Sequence, residues 1–297
     1  MRSATTTAVE SLLIIAAGVV SAACSRAAPP SRFPTAADAI ARMRATDACS
    51  RGVSGEAKVD YFGERGRVRG STLFVMSRPE KIRFDVFSPF GVTLSTLTSD
   101  GHAFALLDTT SKQYFEGPAL ECNVARFLRV PVPPFALVDL FAGEAPILVH
   151  QPNDATLDWE GGSYVIRIRS VNDASEEIRL EPTPGDWQRA WNEQRVRVLE
   201  VSVSQRGVGL YRAELDDFER AGTAKPRVDP DGIDADVPPS GPACSAEIPR
   251  HLHIVSDASA QDVIVDYKDI AHNPPIVPGL FRQSLPRGVA FRYAICH

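Results

Sequence analysis

The chain has 297 residues, 44% of them apolar, and 32 Lys and Arg against 37 Asp and Glu give a formal net charge of −5. The apolar share suits a packed globular protein, and the acidic balance offers no basic face to a nucleic acid. After Cys24 no run approaches the ~20 apolar residues of a membrane-spanning helix.

The N-terminus carries the first motif. An apolar run from Leu12 to Val20 is followed by the small residues Ser21-Ala22-Ala23 and then Cys24. The run is too short to span a hydrocarbon core of ~30 Å. It fits the apolar region of an export signal, with small residues at the cleavage position. Cleavage before Cys24 makes that cysteine the first residue of the mature protein and the site of lipidation. Residues 1–23 are therefore read as a lipoprotein signal peptide and Cys24 as an acylated, palmitate-bearing anchor. Ser21 stands where such signals prefer a large aliphatic, and a plain secretory signal is the competing reading. Removing residues 1–23 removes Arg2 and Glu10, so the mature charge stays at −5. Ser25 and Arg26 follow the cysteine, and the absence of an Asp there leans towards the outer membrane.

Residues 24–34 are rich in Pro and Ala and read as a tether. Thr35 caps a helix over 36–46, where Ala37, Ile40, Ala41 and Met43 supply an apolar stripe. A β region follows. Ala57, Val59 and Tyr61 alternate with Glu56, Lys58 and Asp60, and Ile82, Phe84 and Val86 alternate with Lys81, Arg83 and Asp85. This period of two marks strands with one wet face. Strands are expected at 55–62, 68–76, 80–87, 92–98, 102–108 and 113–117, an antiparallel meander. Residues 120–128 then read as helix, Pro131, Pro133 and Pro134 interrupt, and 135–141 read as a short helix stopped at Ala142-Gly143. Strands resume at 156–159, 163–169, 177–181, 195–204 and 209–219. Residues 221–243 form a long Pro/Gly-rich loop, functional or mobile at that length. Final strands are expected at 252–255, 262–267 and 289–294. The sum is a mainly β, α+β fold, with one antiparallel sheet of roughly ten or more strands that must curl. Its apolar face wraps the helices.

No nucleophile elbow, zincin, Walker or dinucleotide motif occurs. His251 and His253 share a strand face, and His272 precedes a turn. All three read as solvated or structural histidines, so no metal and no cofactor is expected. Trp187 and Trp191, four apart, read as a pair packed on one helical turn in a core or lid. The chain reads as a non-catalytic protein.

At residues 82–148 the order of elements resembles LolB, the outer-membrane receptor for lipoproteins. The segment Phe87-Ser88-Pro89-Phe90-Gly91-Val92, then Leu106-Leu107-Asp108 and Tyr114-Phe115-Glu116, carries the likeness. So does Phe127 to Gly143, with Val130-Pro131-Val132-Pro133. Arg129 departs from the family's usual Gly, and Phe141 stands near its Trp. The tail from Pro249 to Phe291 resembles the closing strands of the LolA/LolB-like class, whereas 221–248 match nothing in it. The resemblance makes 35–297 a LolB/LolA-like domain. It implies an unclosed β-barrel whose concave face is covered by short helices, with an apolar cavity for acyl chains. It also implies a turn, here Pro89, Phe90 and Gly91, that enters a membrane.

Two expectations complete the reading. The inward faces holding Val59, Tyr61, Ile82, Phe84 and Val86 form an apolar trough, covered by the helix bearing Phe135, Leu137 and Leu140. Small aliphatics there leave a void; interlocking Phe and Leu fill it. Four cysteines remain after Cys24, and in an exported chain they imply two disulfides among three pairings. Cys49–Cys122 and Cys244–Cys296 are expected, because Cys244 and Cys296 each end a segment. The function expected is an envelope protein, lipid-anchored and facing the periplasm from the outer membrane. It binds acyl chains or lipoproteins and assists lipoprotein localisation. The alternative is a non-catalytic scaffold lipoprotein of the same fold.

Overall fold

The computed structural model describes residues 26–63, 66–88, 90–128, 132–256 and 259–295. Helix α1 (Ala36–Thr46) begins where the Thr35 hydroxyl accepts the Asp38 N–H, and it buries Ala36, Ala39, Ile40 and Met43. Six strands follow: β1 (Gly52–Gly63), β2 (Gly66–Ser77), β3 (Lys81–Phe87), β4 (Thr93–Ser99), β5 (Ala103–Asp108) and β6 (Gln113–Pro118). Helices α2 (Glu121–Leu128) and α3 (Pro134–Phe141) interrupt them, Pro134 being tolerated in the first turn of α3. The chain then builds β7 (Ala155–Glu160), β8 (Ser163–Arg169), β9 (Ala174–Pro182), β10 (Val196–Gln205) and β11 (Val208–Arg220). It closes with β12 (Glu247–Ser256), β13 (Gln261–His272) and β14 (Ala290–Tyr293).

Among the described residues all 14 strands join one sheet, in the order β14-β6-β5-β4-β3-β2-β1-β13-β12-β11-β10-β9-β8-β7. Neighbours pair antiparallel, except β14, which runs parallel to β6. The two edges do not meet, so the sheet is a curled, unclosed barrel, as expected. Two meanders, β2–β6 and β7–β11, are stitched together by β1 pairing with β13 and β13 with β12.

The alternation seen in sequence decides which face is buried. Phe74, Met76, Ile82, Phe84, Leu97, Ile166, Ile178, Leu180, Val201, Leu252 and Val265 point to the concave side and are fully or almost fully buried. They form one contiguous core with α1 and α3. Arg167, Glu177 and Glu200 lie on the outer face, in ion pairs with their cross-strand neighbours.

Register assigns each turn to an end. The turns after β1, β3, β5, β8, β10 and β12 lie at one end, here the hairpin rim. The turns after β2, β4 and β7, and the β11–β12 loop, lie at the other. That second end is the closed end, with many ties. The Thr46 hydroxyl at the end of α1 accepts the Val196 N–H. Asn273, at φ 54°, donates to the Cys49 and Pro242 carbonyls and accepts the Arg51 N–H. The Pro/Gly-rich loop is held there too, through Ala224 on His272 and Ser240 on Asn273. The segment expected to be a tether is also fixed from Arg26 onward. Its Arg26 carbonyl accepts the Trp159 indole N–H, and its Phe33 packs on Tyr164 and Trp191.

The expected cysteine pairing is corrected. Cys49 is bonded to Cys244, with Cα atoms 5.2 Å apart, not to Cys122. The reason is the β1–β13 seam. It brings the turn before β1 to the end of β13, where the loop before β12 also comes to rest. Cys122 is disulfide-bonded as well; Cys24 and Cys296 lie outside the described residues. Trp187 and Trp191 do not pack as one helical turn. Trp187 meets Trp159, whereas Trp191 meets Phe33, because Trp187 closes one 3₁₀ turn and Trp191 opens a separate one.

Candidate functional site

Two places carry the residues singled out in sequence: the β3–β4 turn and the concave face under α3. The turn is built by Ser88. Its hydroxyl accepts the N–H groups of Phe90 and Val92, and its carbonyl accepts that of Gly91. Gly91 supplies the positive φ of 78° that the reversal needs. The result is a braced turn that holds Phe90 out from the hairpin rim, 92% exposed, beside Val92 at 62%. An exposed Phe on a turn fixed by hydrogen bonds gains nothing from the fold's own core. Pro89, the third residue of the expected turn, lies outside the described residues.

Of the residues expected to line the trough, some share one core and others do not. Ile82, Phe84, Leu137 and Leu140 are buried, and Val59 and Tyr61 pack partly against the same core. Val86 is half-buried. Phe135 does not join them and is 39% exposed. Between them stand rings that the sequence reading had not placed in the trough. Phe141 from α3 lies edge-on to Phe74 at 5.3 Å and to Phe84 at 5.6 Å, and Tyr267 packs on Phe141 at 5.6 Å. At this depth the space is filled by interlocking rings.

A small charged cluster ties the end of α3 to the closed end. The Arg78 guanidinium, on the β2–β3 turn, pairs with Glu144 and lies 3.5 Å from Asp139. Burial lifts the Asp139 carboxyl to about 7, with Glu144 adding to the rise and Arg78 opposing it. Asp47, buried beside them, is also raised well above the ordinary carboxylate range, chiefly by burial. Asp47, Asp139 and Glu144 thus crowd around Arg78, with Arg44 adding a smaller pull on Asp139.

Glu176 is a site residue that the sequence reading passed over. It is buried on the inward face of β9, and its Oε2 accepts the Leu148 N–H at 2.9 Å. Its Oε1 has no partner in the structure. Burial pushes its carboxyl up to about 8. A signal was present: Glu176 is in phase with Ile178 and Leu180, so period-two reading carried two residues further would have turned it inward.

A cavity of about 580 Å³ lies away from the trough, across β7–β11 near the hairpin rim. Outward-facing residues such as Arg167, Glu177, Ser202 and Arg212 line it, and the inward Ile168, Glu176, Val203 and Tyr211 reach it from below. The histidines take structural places. His251 Nδ1 lies 2.7 Å from Asp266, and His253 Nε2 lies 2.8 Å from Asp262, both across neighbouring strands. His272 is buried between the Ser50 hydroxyl and the Ala246 carbonyl, and burial lowers its pKa. Among the described residues no group of His, Cys, Asp and Glu has the arrangement of a metal site.

No protein-family model matches the sequence, and no curated protein matches it. Solved structures match in shape. A DUF1329 family protein from Desulfovibrio piger superposes with a TM-score of 0.52 at 9% identity, covering 82% of this chain and 95% of the other. A LolA superfamily protein from Nitrosomonas europaea reaches 0.49 at 8% identity, over 84% and 99% of the two chains. A domain from Vibrio parahaemolyticus, described as one of outer membrane lipoprotein sorting, reaches 0.43 at 9%, over 82% and 95%. At 9% identity the likeness to the DUF1329 family protein is one of fold alone.

Proposed function

We propose that this chain is an envelope protein that binds lipid or lipoprotein acyl chains and meets a bilayer through its Phe90 turn. In the same reading Cys24 carries the lipid anchor at the outer membrane, the protein faces the periplasm, and no catalytic step is involved. The observation that carries the proposal is the exposure of Phe90 on a braced turn, with Val92 beside it. An aromatic ring held in water by its own backbone hydrogen bonds is suited to the interface of a bilayer, where aromatic residues concentrate. Acyl chains bring ~0.8 kcal/mol per buried CH₂, so an apolar concave face binds them without a catalytic group. For a chain to enter, α3 and its Phe141 must move off the strands.

A second reading, a scaffold lipoprotein with a permanently filled core, is favoured by the packing of Phe74, Phe84, Phe141 and Tyr267. One experiment separates the two. A soluble form beginning at Ser25 is mixed with vesicles of phosphatidylethanolamine and phosphatidylglycerol and, separately, with a triacylated peptide. Full insertion of a Phe contributes roughly 1.5–3 kcal/mol, so Phe90→Glu is expected to weaken vesicle binding about tenfold or more while peptide uptake persists. A parent protein that takes up no peptide would leave only the scaffold reading. Equal vesicle binding by the parent and Phe90→Glu would remove the turn from the proposal.

A further inference from the structure

The two features that would bring this protein to a membrane stand at opposite ends of the sheet. Phe90 is on the hairpin rim, between Phe87 and Thr93, which pair at the end of β3 and β4. The first described residue, Arg26, is at the closed end. There its side chain lies against Gly162 in the β7–β8 turn, which joins Glu160 to Ser163. Its guanidinium stacks on the Trp187 ring at 3.5 Å and reaches Glu181 at 3.5 Å. The strap continues through Ser31, whose hydroxyl accepts the Trp191 N–H and whose carbonyl accepts from the Gln194 side chain, to the buried Phe33. Every strand from β4 across to β7 reverses its neighbour in unbroken order around one core, so the two ends remain the two mouths of one curled sheet.

The lengths make this consequential. The strands that carry the two features, β3 and β4 for Phe90 and β7 and β8 for Arg26, are 6 or 7 residues long; rising ~3.3 Å per residue and tilted as in a barrel, they separate the ends by ~18 Å. Residues 24 and 26 are two steps apart in the chain, ~7 Å at full extension. A lipid on Cys24 therefore holds the closed end within ~7 Å of its bilayer, and a molecule upright on that anchor carries Phe90 clear of the same surface.

We propose that the strapped molecule stands on its anchor with the hairpin rim pointing away, so that Phe90 meets lipid in trans: a lipid surface other than the bilayer that holds Cys24. This rests on the proposed membrane role of the Phe90 turn and adds the orientation.

The test uses the full chain, processed in its host, with lipid on Cys24 verified by mass. Phe90→Cys is labelled with a polarity-sensitive dye, and the protein is placed in dilute phosphatidylethanolamine/phosphatidylglycerol vesicles. A second form carries about thirty Gly/Ser residues inserted between Ser25 and Arg26, whose r.m.s. reach is ~30 Å. The labelled soluble form beginning at Ser25 is the third arm. The expected result is an aqueous dye signal for the native spacing in isolated vesicles. A shift to the bilayer signal should follow when protein-free vesicles are added, and the inserted form should shift without them. A bilayer signal from the native spacing in isolated vesicles overturns the orientation, as does a mature protein with no lipid on Cys24. If the native spacing stays aqueous even after protein-free vesicles are added, while the soluble form binds them, trans contact is overturned alone. If the soluble form also fails to bind, the membrane role of the turn falls with it.

Discussion

Glu176 shows how much one inward acid controls. Its carboxyl is lifted from an ordinary value of 4.5 to about 8 by burial, so the folded protein carries it protonated at neutral pH. The folded value exceeds the unfolded one. Its contribution is therefore fully present below about pH 4.5 and is lost as pH rises towards 8, at ~1.4 kcal/mol per unit. Asp139, raised to about 7, slopes the same way and would mask the effect in the parent alone. Glu176→Gln keeps an acceptor for the Leu148 N–H and cannot ionise. Urea unfolding at pH 5 and pH 8 should show the parent losing a few kcal/mol more than the variant across that range. Equal slopes would mean that Glu176 is solvated in the fold. Individual residues were legible in sequence where the signal is local. Thr35 was read as a cap from its place before an apolar stripe, and the structure makes it one. The cysteine pairing was not legible, because nothing local distinguishes Cys122 from Cys244 as a partner for Cys49.

At the scale of elements, the strands and helices were legible almost throughout. Period-two alternation survives wherever one face is wet, and here the outer face of every meander is wet. What alternation cannot give is partnership. β14 was expected as a closing strand, but its parallel pairing with β6 depends on the chain crossing the whole sheet. The role of α3 was half legible. Its apolar residues were expected to cover a trough, yet Phe141, read as a counterpart to a family Trp, turns out to be the ring on which Phe74, Phe84 and Tyr267 converge. Phe141→Ala should cost about 3–5 kcal/mol of stability, as large-to-small changes of a buried Phe do. It should also open space on the concave face. Denaturant unfolding measures the first, and uptake of a triacylated peptide the second. A loss below about 1 kcal/mol would show that α3 is not part of the cooperative core.

For the whole molecule, the seam matters most. β1 pairs with β13, and the Cys49–Cys244 bond closes a loop of 195 residues beside it. Replacing both cysteines by serine should lower stability by about 2–5 kcal/mol, and non-reduced peptide mapping of the parent should recover Cys49 joined to Cys244. Recovery of Cys49 joined to Cys122 would contradict the seam. The overall fold class was legible from the order of elements, since two meanders around a helical insertion leave a long sheet no choice but to curl.

That seam also imposes an order of events in time. Within each meander, consecutive strands pair through short turns, and such local contacts form early. The seam between Val53 and His272 is the reverse: its partners are synthesised almost a whole chain apart. As the chain is synthesised, β1 emerges with one edge paired to β2 and the other bare, and it stays so until β13 arrives. A bare strand edge is a template for pairing with other chains. The interval between the exit of β1 and the exit of β13 is thus when this protein is most exposed to misassembly, and when an escorting chaperone would have the most to protect.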